Sequence, residues 1–488
     1  MLYAKSFVQE EFKKKPYLLI NLIFSFFPIS FILGTFVVNL NLLIFCCLGI
    51  YYLKSKIIKT KYDFSIKIIF LFFLIIFIST SLSLLKTLYF EGYGNTDFAR
   101  FTKSILFFRF FLFLVIIYLL NKFDILHFKY FFLVSVFSSI FISIDIIHQY
   151  IFGFNLFGIE NYGKDAYYGK ISLGRFATRN SSFFGDEFIA GSYIQRFSFF
   201  AIFFTILFLK NKNYLRFILT VVVISILGLG ILFSGNRMPF VLFILGLLII
   251  FIFNLKIKKI LFVSLITLLI LLKFVISSNE GFHNSYSSFY GKARNVILSP
   301  FKNSGTFILS KVEEQNINED KPFGQKTIFT ETVFESAQKR LFLTAIDTWK
   351  LNKLFGNGIK SFREDCAKID GDDVNMGEDT VSGKKNRLCS NHPHNYYLEI
   401  LTETGIVGLI VILIIASSFA IMILKNFKFT KNISLNNFIF LSGVISLILE
   451  TQPFKTSGSL FTTNNATYVI LIGSIVLSYK AILKIKVK

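Results

Sequence analysis

The chain has 488 residues; 54% are hydrophobic, 18% are aromatic with 65 Phe, and only 17% are charged. Apolar runs of about 20 residues recur along it, the length that crosses ~30 Å of hydrocarbon, which excludes a large soluble domain and indicates an all-α, polytopic membrane protein. A net charge of +23 would point a soluble protein toward nucleic acid, but sixteen Lys/Arg balance fifteen Asp/Glu between Ser278 and Asn395, and the excess lies mostly in short loops between apolar runs, the positive-inside pattern.

In chain order, membrane segments are predicted at about 17–35, 36–53, 64–85, 104–120, 131–152, 197–209, 217–233, 238–253, 260–276, 397–424, 438–453 and 468–483, a bundle of about twelve helices. The first run is too long for a cleavable signal core and leads straight into the second, so it is expected to be retained. The sixth is short and is expected to begin earlier, near Ile189. Basic loops at 13–15, 54–61, 210–216, 256–259 and 484–488 mark the cytoplasmic side and put both termini there. Three stretches then fall on the opposite side: 153–196, the turn 234–237 and the long segment 278–395. The chain divides accordingly into 1–277 with nine helices, 278–395 as a large, mainly helical loop domain, and 396–488 with three helices.

Several polar residues stand out against this apolar background. Cys46 and Cys47 sit in an apolar run and read as inert. Arg109 and Asp145 fall at membrane depth in successive helices and are expected to pair with each other. His148 reads as structural, and Lys273 as snorkelling to the surface. Arg196, following Gly191-Ser192 at the outer end of its helix, is a candidate anion contact.

Within the long segment, 331–354 reads as an amphipathic helix with Phe334, Ala337, Leu341, Ala345 and Thr348 along one stripe. Thr330 suits its cap, Lys350 and Lys353 its last turn, and Gly356 and Gly358 its end. The stretch 370–387 reads as an exposed loop, and its Asp370-Gly371-Asp372-Asp373 as a solvated turn rather than a metal site. Cys366 and Cys389 are either two free thiols or, outside the cytoplasm, a pair. A bridge there would contribute about 3 kcal/mol.

The most telling string is HPHNYYLEILTETGIVGLI, from His392 to Ile410. It sets His394 and Asn395 where the long loop enters a helix, with Gly405 and Gly408 further on. An imidazole titrates near neutrality, so His394 can take and return a proton there. Asn395 can orient it or a substrate, and His392 lies two residues earlier. Glu399 and Glu403, one turn apart, suggest a polar cavity, because charge at membrane depth is costly. The two glycines are expected to let neighbouring helices approach closely.

This string resembles the signature of the O-antigen ligase/polymerase family. Two further stretches are similar to family motifs: SGNRMPF (234–240), a short turn whose arginine is Arg237, and KRLFLTAIDTWKLNKLFGNGIKSF (339–362), an Arg-led helix and Gly-x-Gly turn whose arginine is Arg340. QPFKTSGSLFTTNN (452–465) resembles the family's last outer turn. The resemblance runs from about Gly185 to the end; the first five helices agree only in topology. It implies a GT-C type bundle in the bacterial inner membrane with a periplasmic site. It also implies inverting transfer of a glycan from an undecaprenyl-pyrophosphate donor to a glycolipid or glycan acceptor, such as a lipid A core, without metal or other cofactor. On that basis Arg237 and Arg340 hold the pyrophosphate and His394 serves the acceptor. Asn395, Arg196, His392 and Glu399 are candidate substrate contacts. A ligase is preferred and a polymerase is the close alternative: the long acidic insert between Cys366 and Cys389 departs from compact ligase loops, and GDEFIAGSYIQRF (185–197) looks more like polymerase-type members. A flippase of the same lipid is the reading from another class, but no paired halves appear.

Overall fold

The computed structural model describes residues 15–90, 95–159, 179–185, 187–209, 211–253, 257–278, 282–283, 286–287, 290–291, 337–369, 387–426 and 435–486. Every extended element among them is helical. The helices are α1 (Leu18–Ser25), α2 (Phe27–Leu33), α3 (Thr35–Leu53), α4 (Phe64–Phe90), α5 (Asn95–Lys122), α6 (Phe128–Phe152), α7 (Ala190–Phe208), α8 (Asn213–Phe233), α9 (Arg237–Phe253) and α10 (Lys258–Ser278), followed by α11 (Ala337–Lys350), α12 (Tyr396–Asn426), α13 (Leu435–Thr451) and α14 (Thr463–Lys486).

Eight of these are long and apolar enough to cross a membrane: α3 to α8, α10 and α12. The protein is therefore a polytopic helical membrane protein. Helices α9 and α13 are apolar but only 17 residues long. The expected first span is not one helix. Pro28 near the start of α2 has no N–H to bond back to Phe24, so the run divides at Phe26, and Gly34 (φ 99°) turns the chain into α3. The sixth helix does start earlier than its apolar core, at Ala190.

Lipid tails are as apolar as the side chains, so helices in a bilayer are held by close packing rather than by the hydrophobic effect. Phenylalanine supplies much of that packing. Phe24, Phe27, Phe45, Phe113, Phe131, Phe197 and Phe200 are all fully buried, and their rings meet edge-on or tilted, as between Phe131 and Phe200 at 5.2 Å between centroids. Small residues supply the closest approaches. A Cβ on Gly230 of α8 would sit 2.6 Å from Ser143 of α6.

The expected Arg109–Asp145 pair does not form. Helix α6 packs on α7 and α8, whereas α5 packs on α4 and α14. Asp145 accepts the Leu156 N–H at 2.7 Å and the Ser182 hydroxyl, tying down the loop after α6. Arg109 donates to Thr463 Oγ1 at 3.3 Å and lies over Phe110. His148 has a structural role, hydrogen-bonded to the Phe154 carbonyl oxygen.

The described part of the long segment forms a second, small core against α12. Leu341 and Ala345 of α11, Phe362, Leu388 and the Cys366–Cys389 disulfide pack together with Leu398. Thr344 and Thr348 complete the buried stripe of α11. Thr330, Phe334 and Asp370 to Asp373 lie outside the described residues.

Candidate active site

Cross-chain contacts gather one set of helix ends. Helices α5, α7, α9, α12 and α14 begin there, and α4, α6, α8 and α13 end there. The residues singled out in the sequence lie at this end.

His394 stands just before α12 in a left-handed backbone conformation, φ 51°, which non-glycine residues seldom adopt and which tends to mark functional sites. Asn395 fixes it there. Its Oδ1 accepts the N–H groups of Tyr397 (3.0 Å) and Leu398 (3.2 Å), capping α12, and its Nδ2 donates to the Pro453 carbonyl at 2.7 Å. The Ser457 N–H donates to the His394 carbonyl at 2.9 Å, and the Tyr397 hydroxyl to the Thr451 carbonyl. The amide of Asn395 is thus occupied in holding the 452–462 loop against the start of α12. The His394 side chain is exposed, and its ring lies 4.2 Å from that of His392.

His392 is half-buried. Burial, and then the neighbouring His394, push its pKa down to about 4, so it is neutral near pH 7. A histidine depressed on folding stabilises fully above its unfolded pKa of ~6.5 and loses that contribution as pH falls toward 4. Thermal unfolding between pH 7 and 4.5 should therefore show a steeper acid decline for the parent than for His392→Gln; identical profiles would contradict the burial seen for His392.

Beneath this loop lies a buried charge cluster. Arg196 of α7 grips Glu450 of α13 through Nη2 to Oε1 (2.6 Å) and Nε to Oε2 (3.2 Å), and also donates to Asn465 Oδ1 at 2.7 Å. Lys455 Nζ reaches Glu450 Oε2 at 2.7 Å, and the Tyr396 hydroxyl donates to Oε1 at 2.8 Å. The Arg196 guanidinium lies 4.7 Å from the Tyr468 ring centroid. Arg196, expected as an anion contact, is thus committed to Glu450, and the charge left over in the cluster is that of Lys455.

Helix α12 is broken nine residues in. Gly405 has φ 67° and ψ −168°, and the turn after α11 fills the break. Asn357 N–H donates to the Thr402 carbonyl (3.3 Å) and Gly358 N–H to the Glu403 carbonyl (2.9 Å); in return Ile406 N–H donates to Lys353 (2.9 Å) and Val407 N–H to Leu354 (3.3 Å). Ser79 and Thr80 of α4 close the other side, Ser79 Oγ donating to the Glu403 carbonyl at 2.7 Å and Thr80 Oγ1 accepting the Ile359 N–H at 3.0 Å. Gly356 and Gly405 meet backbone to backbone: a Cβ on Gly356 would lie 2.6 Å from Gly405 N, and one on Gly405 would overlap the Leu354 carbonyl. Gly405 is therefore not the helix-packing glycine expected from the sequence, and Gly408 faces Thr404 of its own helix. Glu399 and Glu403 are both buried. The first accepts the Leu460 N–H at 2.6 Å and the second the Lys360 N–H at 2.5 Å.

Arg237 opens α9, half-buried near Tyr286. Its turn is clamped to the start of α7 by Asn236 Nδ2 donating to the Phe188 carbonyl at 3.0 Å and by Gly191, where a Cβ would overlap Ser234 Oγ. Arg340 lies in the first turn of α11, and its Nε is buried without a hydrogen-bond partner. Helices α9, α11 and α12 thus carry Arg237, Arg340 and His394 to one end of the molecule, Arg237 on the α7 side and the other two on the α11–α12 side. Glu450, Lys455, Lys360 and Arg363 belong to the same region; Lys360 and Lys455 lie inside the 339–362 and 452–465 stretches, while Glu450 and Arg363 lie outside any motif.

No curated protein matches the chain significantly. Residues 220–413 match the O-antigen ligase family, a span that runs from α8 past the Gly405 break and includes Arg237, Arg340 and His394. Over that span the chain is similar to the O-antigen ligase family.

Proposed function

We propose that this protein is an O-antigen ligase-like, inverting glycosyltransferase that works at the periplasmic face of the bacterial inner membrane. Its donor is a glycan on undecaprenyl pyrophosphate and its acceptor a lipid A core or similar glycan. The fold in this reading is a GT-C type bundle of about twelve spans, with both termini cytoplasmic and 278–395 as a periplasmic domain. The observation that carries the reading is His394: an exposed imidazole in a left-handed backbone conformation, held by a capped helix and a buttressing loop at the arginine-bearing end of the bundle. The Cys366–Cys389 disulfide at that end supports a periplasmic setting, because such bonds persist in oxidising compartments. The basic loops at the other end agree with it.

The reaction needs four events. The acceptor's hydroxyl oxygen bonds to the anomeric carbon from the face opposite the phosphate. The carbon–oxygen bond to the pyrophosphate breaks, and its electron pair leaves with the pyrophosphate. The hydroxyl proton passes to His394. Arg237 and Arg340 take up the negative charge on the departing group, for which a guanidinium, always cationic and forked, is suited. No step in this scheme calls on a metal.

In purified protein supplied with donor and acceptor, His394→Ala should lower transfer on the order of a hundredfold. Unchanged transfer would remove the role assigned to the imidazole. The polymerase reading keeps the same site and is favoured by the 185–197 segment and the long insert. A gel of surface glycan from a deletion strain separates the two: loss of all attached glycan marks a ligase, and single-repeat glycan a polymerase.

A further inference from the structure

At this end of the bundle the protein pairs several of its cations with acids. Arg100 pairs with Asp97 and Glu364, Arg196 and Lys455 with Glu450, Lys368 with Asp365, and Arg387 and Lys350 with Asp347. Other cations stay outside these pairs, Arg340 among them. Lys360 and Arg363, in the segment that follows the Gly-Asn-Gly turn, and Lys103 of α5 form no ion pair among the described residues. They converge on one place. Lys360 lies close enough to Arg363 and Lys103 for their charges to oppose its own, and burial together with those two cations holds its ammonium below the usual lysine range. Arg363 is also an electrostatic neighbour of His392 and of Glu399.

The acids nearby do not absorb this charge by direct pairing. Glu403 and Glu399 each direct a carboxylate oxygen to a backbone N–H, of Lys360 and Leu460 respectively. Polar atoms are left over at the same locus: Arg363 Nε, His392 Nε2, and the hydroxyls of Ser361 and Ser457 are buried with no hydrogen-bond partner. Buried donors without acceptors are costly, and like charges drawn together without a directly paired acid add to that cost, of which Glu403 and Glu399 offset part for Lys360. Both are relieved by one kind of guest, a compact polyanion with several acceptor oxygens.

We propose that Lys103, Lys360 and Arg363 form a diphosphate-binding cradle beside the His392–His394 pair, which takes the headgroup of a polyprenyl diphosphate. This rests on the glycosyl-transfer reading and extends it. The cradle sets the headgroup next to His394, and α11, which carries Arg340, packs against α12. It also gives the Gly-Asn-Gly turn a purpose: by docking into the break in α12, the turn delivers Lys360 and Arg363 to the imidazoles.

The test uses the full-length protein in nanodiscs, with undecaprenyl pyrophosphate and undecaprenyl phosphate as probes. Arg363→Gln and Lys360→Gln are each expected to weaken diphosphate binding on the order of tenfold, the loss of one charge-assisted contact. The KM for the donor should rise by a similar factor. Arg363→Lys, which keeps the charge, should bind within a few-fold of the parent, and Lys59→Gln at the opposite end should match it. Diphosphate binding at parental strength by the Gln variants, with parental unfolding temperatures, overturns the cradle and leaves the glycosyl-transfer reading standing. Equal losses in Arg363→Lys and Arg363→Gln overturn a role based on charge. Binding of the monophosphate as tightly as the diphosphate, with the same response to the variants, makes the cluster a general anionic-headgroup surface and also overturns it. A parent that neither binds the diphosphate nor transfers glycan sinks the reading and the cradle together.

Discussion

Glu450→Ala should destabilise the protein by about 3–5 kcal/mol, the effect of stranding buried charge by removing its partner. Glu450 is 1% exposed and holds Arg196 and Lys455 at once, with the Tyr396 hydroxyl as a further ligand. Its removal leaves two cations facing each other among Tyr396, Tyr468 and the ends of α7, α13 and α14. The arrangement does not imply that the ion pair is itself a large source of stability, since desolvation offsets most of the attraction between buried charges. The triple variant Arg196→Met/Glu450→Met/Lys455→Met, which removes every charge of the cluster, should therefore recover most of the loss. Thermal unfolding in detergent measures both. A Glu450→Ala protein within about 1 kcal/mol of the parent would mean that water reaches the cluster freely.

Gly405→Ala should cost about 2–5 kcal/mol, for two additive reasons. A left-handed backbone costs any residue with a Cβ roughly 1–2 kcal/mol. The added methyl also has no room: it would overlap the Leu354 carbonyl, which belongs to a turn fixed from the other side by Ser79 and Thr80. Forcing such an overlap typically costs a further 1–3 kcal/mol. Gly473→Ala on α14 is the control, because a Cβ there would meet Phe419 at an ordinary 3.7 Å; it should change stability by less than about 0.5 kcal/mol. If Gly405→Ala behaved like Gly473→Ala, the break in α12 would not be fixed by the turn that fills it.

The break also bears on the transporter reading. Broken helices in transporters line a substrate or ion path with unwound backbone. In α12 the freed carbonyl and N–H groups are consumed by residues 353–358 and by Ser79, so the break is a socket for another part of the chain. Irregular backbone within a membrane protein is tolerated where it is buried in protein in this way.

Much of this architecture was legible in the sequence. Hydrocarbon thickness sets a length scale that any apolar run reveals, so most helices were located within a few residues. His394 and Asn395 were legible because the catalytic candidate and its capping neighbour are contiguous. What escaped notice depends on distant partners. Glu450 is one acid in an apolar run, and the arginine that makes it buriable is 254 residues away. Gly405 looks like any helix-packing glycine until the 353–358 turn is set against it. Nothing local to Arg363 says that it ends up beside His392. The expected Arg109–Asp145 pair failed for the converse reason: succession in sequence was taken for contact, whereas their helices pack on different partners.

The seam between the 353–358 turn and the broken helix has a consequence for biogenesis. In the proposed topology, when α12 first enters the bilayer its groups around Gly405 have no partners within their own helix, and they acquire them only once the preceding periplasmic segment has folded back from outside. That segment is closed on itself by the Cys366–Cys389 bond. In that topology, oxidative folding beyond the membrane and completion of a span inside it are coupled, and a reductant acting only on the periplasmic side is expected to leave the α12 break without its partners.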